Sequence, residues 1–238
     1  MPASAPLNLT LTPQTDPLAL YRHRDGLYAV DLLTAAITEF DFFTWLAAHP
    51  SDLAAICAAL AKKIPAAGRT RLLDIAGGSG IYACSIVAQH SHLAATVFER
   101  PPVDAIARRL IKKRGYASRV SVVAGDMFFD PLPRGHDVHL YSNVLHDWDT
   151  DKVRPLLAAS FAAMPPGGLL AIHDCHLDAD KTGPLPVAAY SALLMSVTEG
   201  KCYSVAEMET LLAEAGFHSV QLTPTVVDRS VITAVKSA

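Results

Sequence analysis

Short apolar runs alternate with helix-length amphipathic stretches from about residue 70 onward. The apolar runs are RLLDIA, ATVFE, RVSVVAG, VHLYSNV and LLAIHD, and the helical patterns lie near residues 80–90, 102–114, 151–163, 186–197 and 204–216. Strands separated by helices predict a parallel sheet with helices on both faces. Two further runs, HSVQLTPTV and SVITAVK, have a tight connection at Asp228 and Arg229, which predicts an antiparallel hairpin at the edge of the sheet.

The chain before this alternation follows a different pattern. Residues 1–17 are rich in proline, threonine and serine, which predicts a poorly ordered tail. Residues 18–64 have helical spacing of apolar side chains, and a short linker then leads into a domain over residues 65–238. Residues 27–48 carry too much apolar surface for an isolated helical arm. We therefore predict that the helical segment 18–64 forms a homodimer.

Composition narrows the class of protein. Hydrophobic residues make up 51% of the 238 residues and charged residues 18%, which indicates a well-buried core. The net charge of −3 gives no reason to expect a nucleic acid or an anionic membrane as partner. The cysteines form no CxxC pair, no apolar run is long enough to span a membrane, and no signal peptide is evident, so we expect a cytoplasmic protein. One basic cluster has the spacing of a solvated helix face: Arg108, Arg109, Lys112, Lys113 and Arg114.

A glycine-rich turn follows the first predicted strand. Gly77, Gly78 and Gly80 precede a helix, where glycine lets the backbone approach a ligand and the helix N-terminus offers N–H groups. Glu99 ends the next strand, 19 residues after Gly80, where a carboxylate can accept both hydroxyls of a ribose. A nicotinamide dehydrogenase has the same order of features, so this turn alone leaves that alternative open.

The third and fourth strands end in more distinctive sequences. Asp126 follows the third strand and can accept a hydrogen bond from the adenine amino group, while Met127 and Phe128 offer polarizable and aromatic surface to the ring. The fourth strand runs into Asn143 and then Val-Leu-His-Asp-Trp.

These blocks resemble the S-adenosylmethionine-dependent O-methyltransferases that act on plant phenylpropanoids and on bacterial secondary metabolites. The resembling blocks are LLDIAGGSG, VFERPP, GDMFFDPLP, SNVLHDW and AEMETLLAEAGF. The resemblance implies an α/β class I methyltransferase fold, a Rossmann-like, seven-stranded, mostly parallel sheet with a C-terminal antiparallel hairpin. It implies S-adenosyl-L-methionine as methyl donor and a small aromatic hydroxyl compound as acceptor. It also implies that the donor is bound by Asp74, Gly77, Gly78, Gly80, Glu99, Asp126, Met127 and Asn143.

The chain departs from the family pattern at the donor turn and in the region before the first strand. Ala76 stands where the family has the first glycine of its motif. The region before the first strand is also shorter than the family's helical and winged-helix region.

His146 lies just beyond the fourth strand, where open α/β sheets place their ligands. A phenol with a pKa of ~10 needs only modest help from an imidazole with a pKa of ~6.5. The resemblance implies that His146 is the general base and that Asp174 orients it, in place of a family glutamate. Because aspartate is one methylene shorter, we expect a longer contact or a shifted backbone. Cys202 takes the place of a second orienting acid of the plant enzymes and cannot act as a carboxylate.

Three alternatives accompany this prediction. A metal-assisted methyltransferase acting on carbon would use Asp147, His173 and His176 with His146, since two histidines and a carboxylate suit an octahedral metal. His173 and His176 lie three apart around a strand end and need not converge, so we predict no metal. A non-catalytic adenosylmethionine-fold partner subunit is favoured by Cys202, and a dehydrogenase is disfavoured by GDMF and by the final hairpin.

Overall fold

The computed structural model describes residues 53–226 and 228–237. The helices are α1 (Leu53–Lys63), α2 (Ile81–Gln89), α3 (Val103–Lys113), α4 (Thr150–Ala163), α5 (Leu185–Val197) and α6 (Val205–Glu214). The strands are β1 (Arg71–Ile75), β2 (Ala94–Glu99), β3 (Val120–Ala124), β4 (Val138–Ser142), β5 (Leu169–Asp174), β6 (Phe217–Pro224) and β7 (Ser230–Lys236). The predicted tail at 1–17 and residues 18–52 of the predicted dimerisation segment 18–64 lie outside the described residues.

The strands form one seven-stranded sheet in the order β3-β2-β1-β4-β5-β7-β6. The pairs among β1 to β5 are parallel, whereas β7 is antiparallel to both β5 and β6. This order confirms the predicted alternation of strands and helices, the C-terminal hairpin and the class I methyltransferase fold.

The central strands are buried because helices cover both faces of the sheet. All six residues of β5 are buried, and four of the five residues of β1 are. Strands that are buried on both faces have near-continuous apolar sequences, which is why RLLDIA and LLAIHD predicted β1 and β5. Strand β6, at the edge, has exposed residues along most of its length.

Alternate residues of one strand serve two hydrophobic cores. Leu72 packs in a cluster with residues of α1, α2 and α3, and Leu73 packs on the other face with residues of α4 and α6. Opposite faces follow from the two-residue period of a strand. Leu60 and Ile64, from α1 and the residue after it, belong to the first cluster, so α1 packs on the sheet. The domain boundary between residues 64 and 65 stays a prediction.

The strand order also fixes where a ligand can bind. The chain runs from β1 outward through β2 and β3, and then returns to the other side of β1 at β4. At such a reversal, connections after neighbouring strands leave toward opposite faces and open a crevice at the carboxyl ends. Within residues 53–226 and 228–237, no helix is long and apolar enough to cross a membrane.

Candidate active site

The turn after β1 is shaped by backbone that favours glycine. Ala76, Gly78 and Gly80 have φ values of 52°, 54° and 69°, in the left-handed region. A Cβ on Gly80 would lie 2.7 Å from the side chain of Ile111, and one on Gly77 would lie 2.6 Å from the carboxyl of Asp74. The departure at Ala76 therefore places an L side chain in a conformation that costs roughly 1–2 kcal/mol.

Glu99 is hydrogen-bonded to this turn. One carboxylate oxygen, Oε2, accepts from the Gly78 N–H at 2.9 Å, and Oε1 accepts from the Arg100 N–H at 2.9 Å. Each oxygen has a second lone pair, so both can still accept a hydroxyl hydrogen. The carboxylate is half-buried at the carboxyl end of β2.

A cleft of about 550 Å³ opens beside Glu99. Its walls come from the turns after β1 to β4 and from the start of α4: Ala76, Phe98, Glu99, Arg100, Gly125, Asp126, Met127, Phe128, Phe129, Asn143, Val144, Asp147, Trp148 and Lys152. The structure thus brings Glu99, Asp126, Met127 and Asn143 together around one cavity. Gly78 is bonded to Glu99, and Gly77, Gly78 and Gly80 do not line the cleft itself.

The turn at residues 125–128 is stabilised by contacts of its own side chains and by close packing at Gly125. Asp126 Oδ1 accepts from the Phe128 N–H at 2.9 Å, and the Phe128 ring meets the Trp148 ring edge-to-face with centroids 4.7 Å apart. A Cβ on Gly125 would lie 2.3 Å from the ring of Phe98. These contacts place an acid and two aromatic rings on one side of the cleft.

Arg114 has a role that the sequence did not indicate. The prediction placed it on a solvated helix face, yet its guanidinium Nη1–H donates to the Ser79 carbonyl oxygen at 2.6 Å. Arg108, Arg109, Lys112 and Lys113 are exposed as predicted. Because Arg114 is the residue after α3, its side chain reaches back and braces the glycine turn.

Asp74 lies beneath the same turn and is fully buried. Neither carboxyl oxygen has a hydrogen-bond partner of normal geometry, although the nearby Ala83 N–H partly stabilises the charged form. Burial, with a smaller contribution from the charge of Glu99, raises the pKa of Asp74 to about 7. A buried carboxyl with this pKa is in part protonated near neutral pH.

His146 lies in a 3₁₀ turn, Leu145–Asp147, that follows β4. Its side chain is 7% exposed, and its Nδ1 lies 2.6 Å from Oδ1 of Asp174, the last residue of the neighbouring strand β5. The expected lengthening of this contact does not occur. The same oxygen accepts from the Cys175 N–H at 2.8 Å. The imidazole Nε2 faces the half-exposed carboxylate of Asp147, with 3.6 Å between Nε2 and Oδ1.

Opposing effects act on the pKa of His146. Burial lowers it, but the hydrogen bond and charge of Asp174, together with the charge of Asp147, outweigh burial and raise the pKa above its ordinary value. Arg229 opposes the two carboxylates by a smaller amount.

Gly200 packs closely against the backbone of the turn that carries His146. A Cβ on Gly200 would lie 2.2 Å from the His146 carbonyl oxygen and 2.5 Å from the Trp148 nitrogen. The preceding Glu199 N–H donates to the Asp147 carbonyl at 3.2 Å. The loop between α5 and α6 is therefore packed directly against the turn that carries His146, a contact between residues far apart in sequence that no local pattern indicated.

The histidines near the end of β5 are bonded to side chains other than that of His146. His173 bonds to Ser142 and Thr225, and His176 bonds to Ser230. Burial lowers the pKa of both histidines to about 4. Among the residues the structure describes, no group of three or more histidine, cysteine, aspartate or glutamate side chains is placed to hold a metal ion.

Cys202 is fully buried in a small apolar cluster with Cys175, Val187 and Leu194. Burial raises the pKa of its thiol to about 12, so the thiol is neutral. It offers no second charge to His146. A pocket of about 220 Å³ adjoins this cluster and is lined by Cys175, Pro186, Val187, Tyr190, Asp228 and Arg229. The ring of Tyr190 lies edge-on to the His146 ring at 5.8 Å.

The model of the O-methyltransferase domain family matches residues 35–218, more than half of the chain. The chain belongs to this family. The dehydrogenase alternative is therefore overturned.

Relatives of this O-methyltransferase domain include two curated enzymes. The chain is 38% identical over 162 residues to a 3-hydroxy-5-methyl-1-naphthoate 3-O-methyltransferase of Streptomyces sahachiroi. This match covers 68% of the chain and 47% of the relative. It is also 34% identical over 154 residues to the acetylserotonin O-methyltransferase of Gallus gallus. This match covers 64% of the chain and 44% of that relative. The chain thus spans about half the length of these relatives.

A solved structure is similar over much of the domain. The O-methyltransferase family 2 protein of Planctomyces limnophilus, in complex with apigenin, has a TM-score of 0.72 and 39% identity. The similarity covers 76% of this chain and 56% of that chain.

The buried carboxyl of Asp74 makes folding dependent on pH. Its folded-state pKa is raised, so between about pH 4 and pH 7 the folded state holds a proton that the unfolded state has lost. The contribution of Asp74 to stability therefore falls as pH rises through this interval. As the pH rises from about 4 to about 7, we expect the unfolding free energy of Asp74→Asn to increase relative to that of the parent protein by at most about 4 kcal/mol.

Urea denaturation at several pH values measures this difference. The control is Asp151→Asn, which alters an exposed aspartate in the first turn of α4 and should leave the pH dependence unchanged. If the unfolding free energies of Asp74→Asn and the parent protein change with pH in the same way, the raised pKa of Asp74 is contradicted.

Proposed function

We propose that this domain transfers a methyl group from S-adenosyl-L-methionine to a hydroxyl of a small aromatic compound. The observation that carries the proposal is the buried His146–Asp174 pair, with 2.6 Å between Nδ1 and Oδ1, beside a cleft suited to adenosine. The Streptomyces sahachiroi relative is named for methylation of a hydroxynaphthoate, and the Planctomyces limnophilus neighbour is in complex with apigenin. Both names support an aromatic acceptor.

The cleft fits the donor in size and chemistry. Its volume of about 550 Å³ lies in the range of roughly 300–1,000 Å³ typical of ligand pockets. Glu99 presents two oxygens that can accept the ribose hydroxyls, and Asp126 presents an acceptor for the adenine amino group. Met127 and Phe128 offer a surface to the ring.

The remaining donor residues form the inner end of the site. Gly77, Gly78 and Gly80 let the backbone approach the donor at the start of α2. Asp74 lies beneath this turn, and Asn143 lines the wall toward His146. We assign these residues to donor binding together with Glu99.

The proposed chemistry divides between donor and protein. When bound, S-adenosylmethionine supplies a methyl group activated by the positive charge on sulfur. Asp174 accepts the Nδ1–H of His146, which leaves the lone pair of Nε2 to remove the hydroxyl proton. The imidazolium that forms is stabilised by Asp174 on one side and by Asp147, 3.6 Å from Nε2, on the other.

The acceptor is proposed to occupy the pocket of about 220 Å³ next to this pair. Tyr190 lines that pocket and also contacts the His146 ring, so an aromatic acceptor stacked near Tyr190 would lie beside the base. Cys175 and Val187 supply apolar surface there.

We also propose that the protein is a cytoplasmic homodimer. Its four cysteines all lie in the described part of the chain and are buried thiols without a disulfide, as in a reducing compartment. The dimer proposal depends on the apolar sequence of residues 27–48.

Glu99 provides the first test. We expect Glu99→Ala to weaken S-adenosylmethionine binding by about 1.5–3 kcal/mol, because a charge-assisted hydrogen bond is lost. Isothermal titration calorimetry with the donor and with its demethylated product measures this. The control Glu209→Ala removes an exposed carboxylate of α6 and should leave the Kd unchanged. An equally unchanged Kd for Glu99→Ala would refute the ribose assignment.

The base provides the second test. His146→Ala should lower kcat by ~10²–10⁴ with little change in donor affinity. Asp174→Asn should lower kcat less. It should also move the acidic limb of the pH profile to lower pH, because Asp174 raises the pKa of His146 and the base works only when deprotonated.

Matched measurements separate the alternatives. His218→Ala, at an exposed position on β6, should retain the parent rate. Loss of activity with a chelator, with equal effects at His173 or His176, would instead favour the metal-assisted reaction. Tight donor binding without turnover on any acceptor would favour the non-catalytic partner subunit.

The dimer has its own test. Light scattering at micromolar concentration should give twice the chain mass of 25.4 kDa. Replacing Trp45 and Leu46 with serine should reduce that mass toward the monomer, because the apolar interface would be weakened. A monomer mass for the parent protein would count against the proposal.

A further inference from the structure

The turn between β6 and β7 is tied by side chains to the carboxyl ends of β4 and β5. Thr225 bonds to His173 at 3.3 Å between Oγ1 and Nε2, and Ser230 bonds to His176 at 2.8 Å between Oγ and Nδ1. The Arg229 Nε–H donates to Oδ1 of Asn143 at 3.2 Å. Of these contacts, the one from Arg229 reaches a residue that lines the donor cleft.

Asn143 is held from two sides. Its Oδ1 accepts from Arg229, and its Nδ2–H donates to the hydroxyl of Tyr82 at 3.0 Å. Tyr82 lies in the first turn of α2, directly after the glycine turn. One amide therefore connects the C-terminal hairpin to the helix that begins the donor site.

The backbone of Asn143 shows what this connection holds in place. Its φ is 54°, a left-handed conformation, and its N–H donates to the His173 carbonyl at 2.9 Å. Asn143 is the first residue after β4 and lies three residues before His146. Its conformation thus sets the direction in which the chain leaves the strand and enters the turn that carries His146.

We propose that Arg229 is a positioning residue that, through the amide of Asn143, fixes the turn carrying His146 for methyl transfer. This inference rests on the proposed function of His146 as the base. Asparagine tolerates the left-handed region but has no strict preference for it. Bonds on both sides of its amide select one orientation.

Arg229 also adds charge near the base. The groups that face His146 are Asp174 and His176 from the end of β5, Asp147 from its own turn, Tyr190 from α5 and Arg229 from the β6–β7 turn. Arg229 lowers the pKa of His146 against the larger effect of the carboxylates. Its hydrogen bond and its charge are therefore separable contributions.

Two substitutions separate them. Arg229→Lys keeps the charge but loses the planar guanidinium that places Nε–H on Asn143, because lysine does not reproduce that geometry. Arg229→Gln loses the charge as well. We expect Arg229→Lys to lower kcat by about 10- to 100-fold, the cost of a misplaced catalytic group. We expect a smaller loss of donor affinity, because Asn143 also lines the donor cleft. The control Arg154→Lys alters an exposed arginine paired with Glu214 on the surface and should keep the parent kcat.

A third variant tests the path through Asn143. Tyr82→Phe removes only the hydroxyl that accepts from the amide, so it should lower kcat less than Arg229→Lys does. Because both changes act on the same amide, the double variant should lose less than the product of the single losses. If the loss of kcat in the double variant equals the product of the two single losses, the two residues do not act through the Asn143 amide. Tyr82→Phe also keeps the test available if Arg229→Lys fails to fold.

The imidazole signals of His146, followed by NMR across a pH titration, test placement without turnover. We expect Arg229→Gln to raise the pKa of His146, and Arg229→Lys to move its signals with little change in pKa. If the parent protein methylates no acceptor, the proposed function fails, yet unchanged His146 signals in both variants would still overturn the positioning role. A parent-like kcat for Arg229→Lys, or a loss of donor affinity as large as the loss of kcat, would overturn it too.

Discussion

The parallel pairing of β1 with β4 is the constraint on which the site depends. At this pair the strand order reverses, so the connections after the two strands diverge and leave a crevice between them. The glycine turn follows one strand and the turn of His146 follows the other. The residues that we assign to donor binding and to acceptor activation therefore meet, although 66 positions separate Gly80 from His146.

Two buried carboxyls near this crevice behave differently because their partners differ. Asp174 accepts from His146 and from a backbone N–H, and it stabilises positive charge on the imidazole. Asp74 has no hydrogen-bond partner of normal geometry, and burial raises its pKa to about 7. The same residue type is thus bonded to a histidine at one strand end and lies without such a bond at another. What differs is hydrogen bonding, since both side chains are buried.

Local sequence was sufficient for the strands, the helices and the groups that lie at strand ends. Hydrophobic periodicity predicted β1 to β7, and the position after each strand placed Glu99, Asp126, His146 and Asp174 on one edge of the sheet. The approach of Arg114 to Ser79, of Gly200 to the His146 carbonyl and of Arg229 to Asn143 was not predictable in this way. These contacts join loops distant in sequence, and their geometry depends on how each helix packs.

Helix α5 and the loop after it couple the candidate acceptor pocket to the backbone of the turn that carries His146. Val187 and Tyr190 on this helix line the candidate acceptor pocket, and the loop that follows it ends in Gly200, against the backbone of His146. Moving the helix to admit a bulkier compound would push the loop onto the turn of His146. Altered acceptor range is therefore more accessible by trimming individual side chains of α5 than by shifting or lengthening the helix. The space at Gly200 limits how far this region can be remodelled.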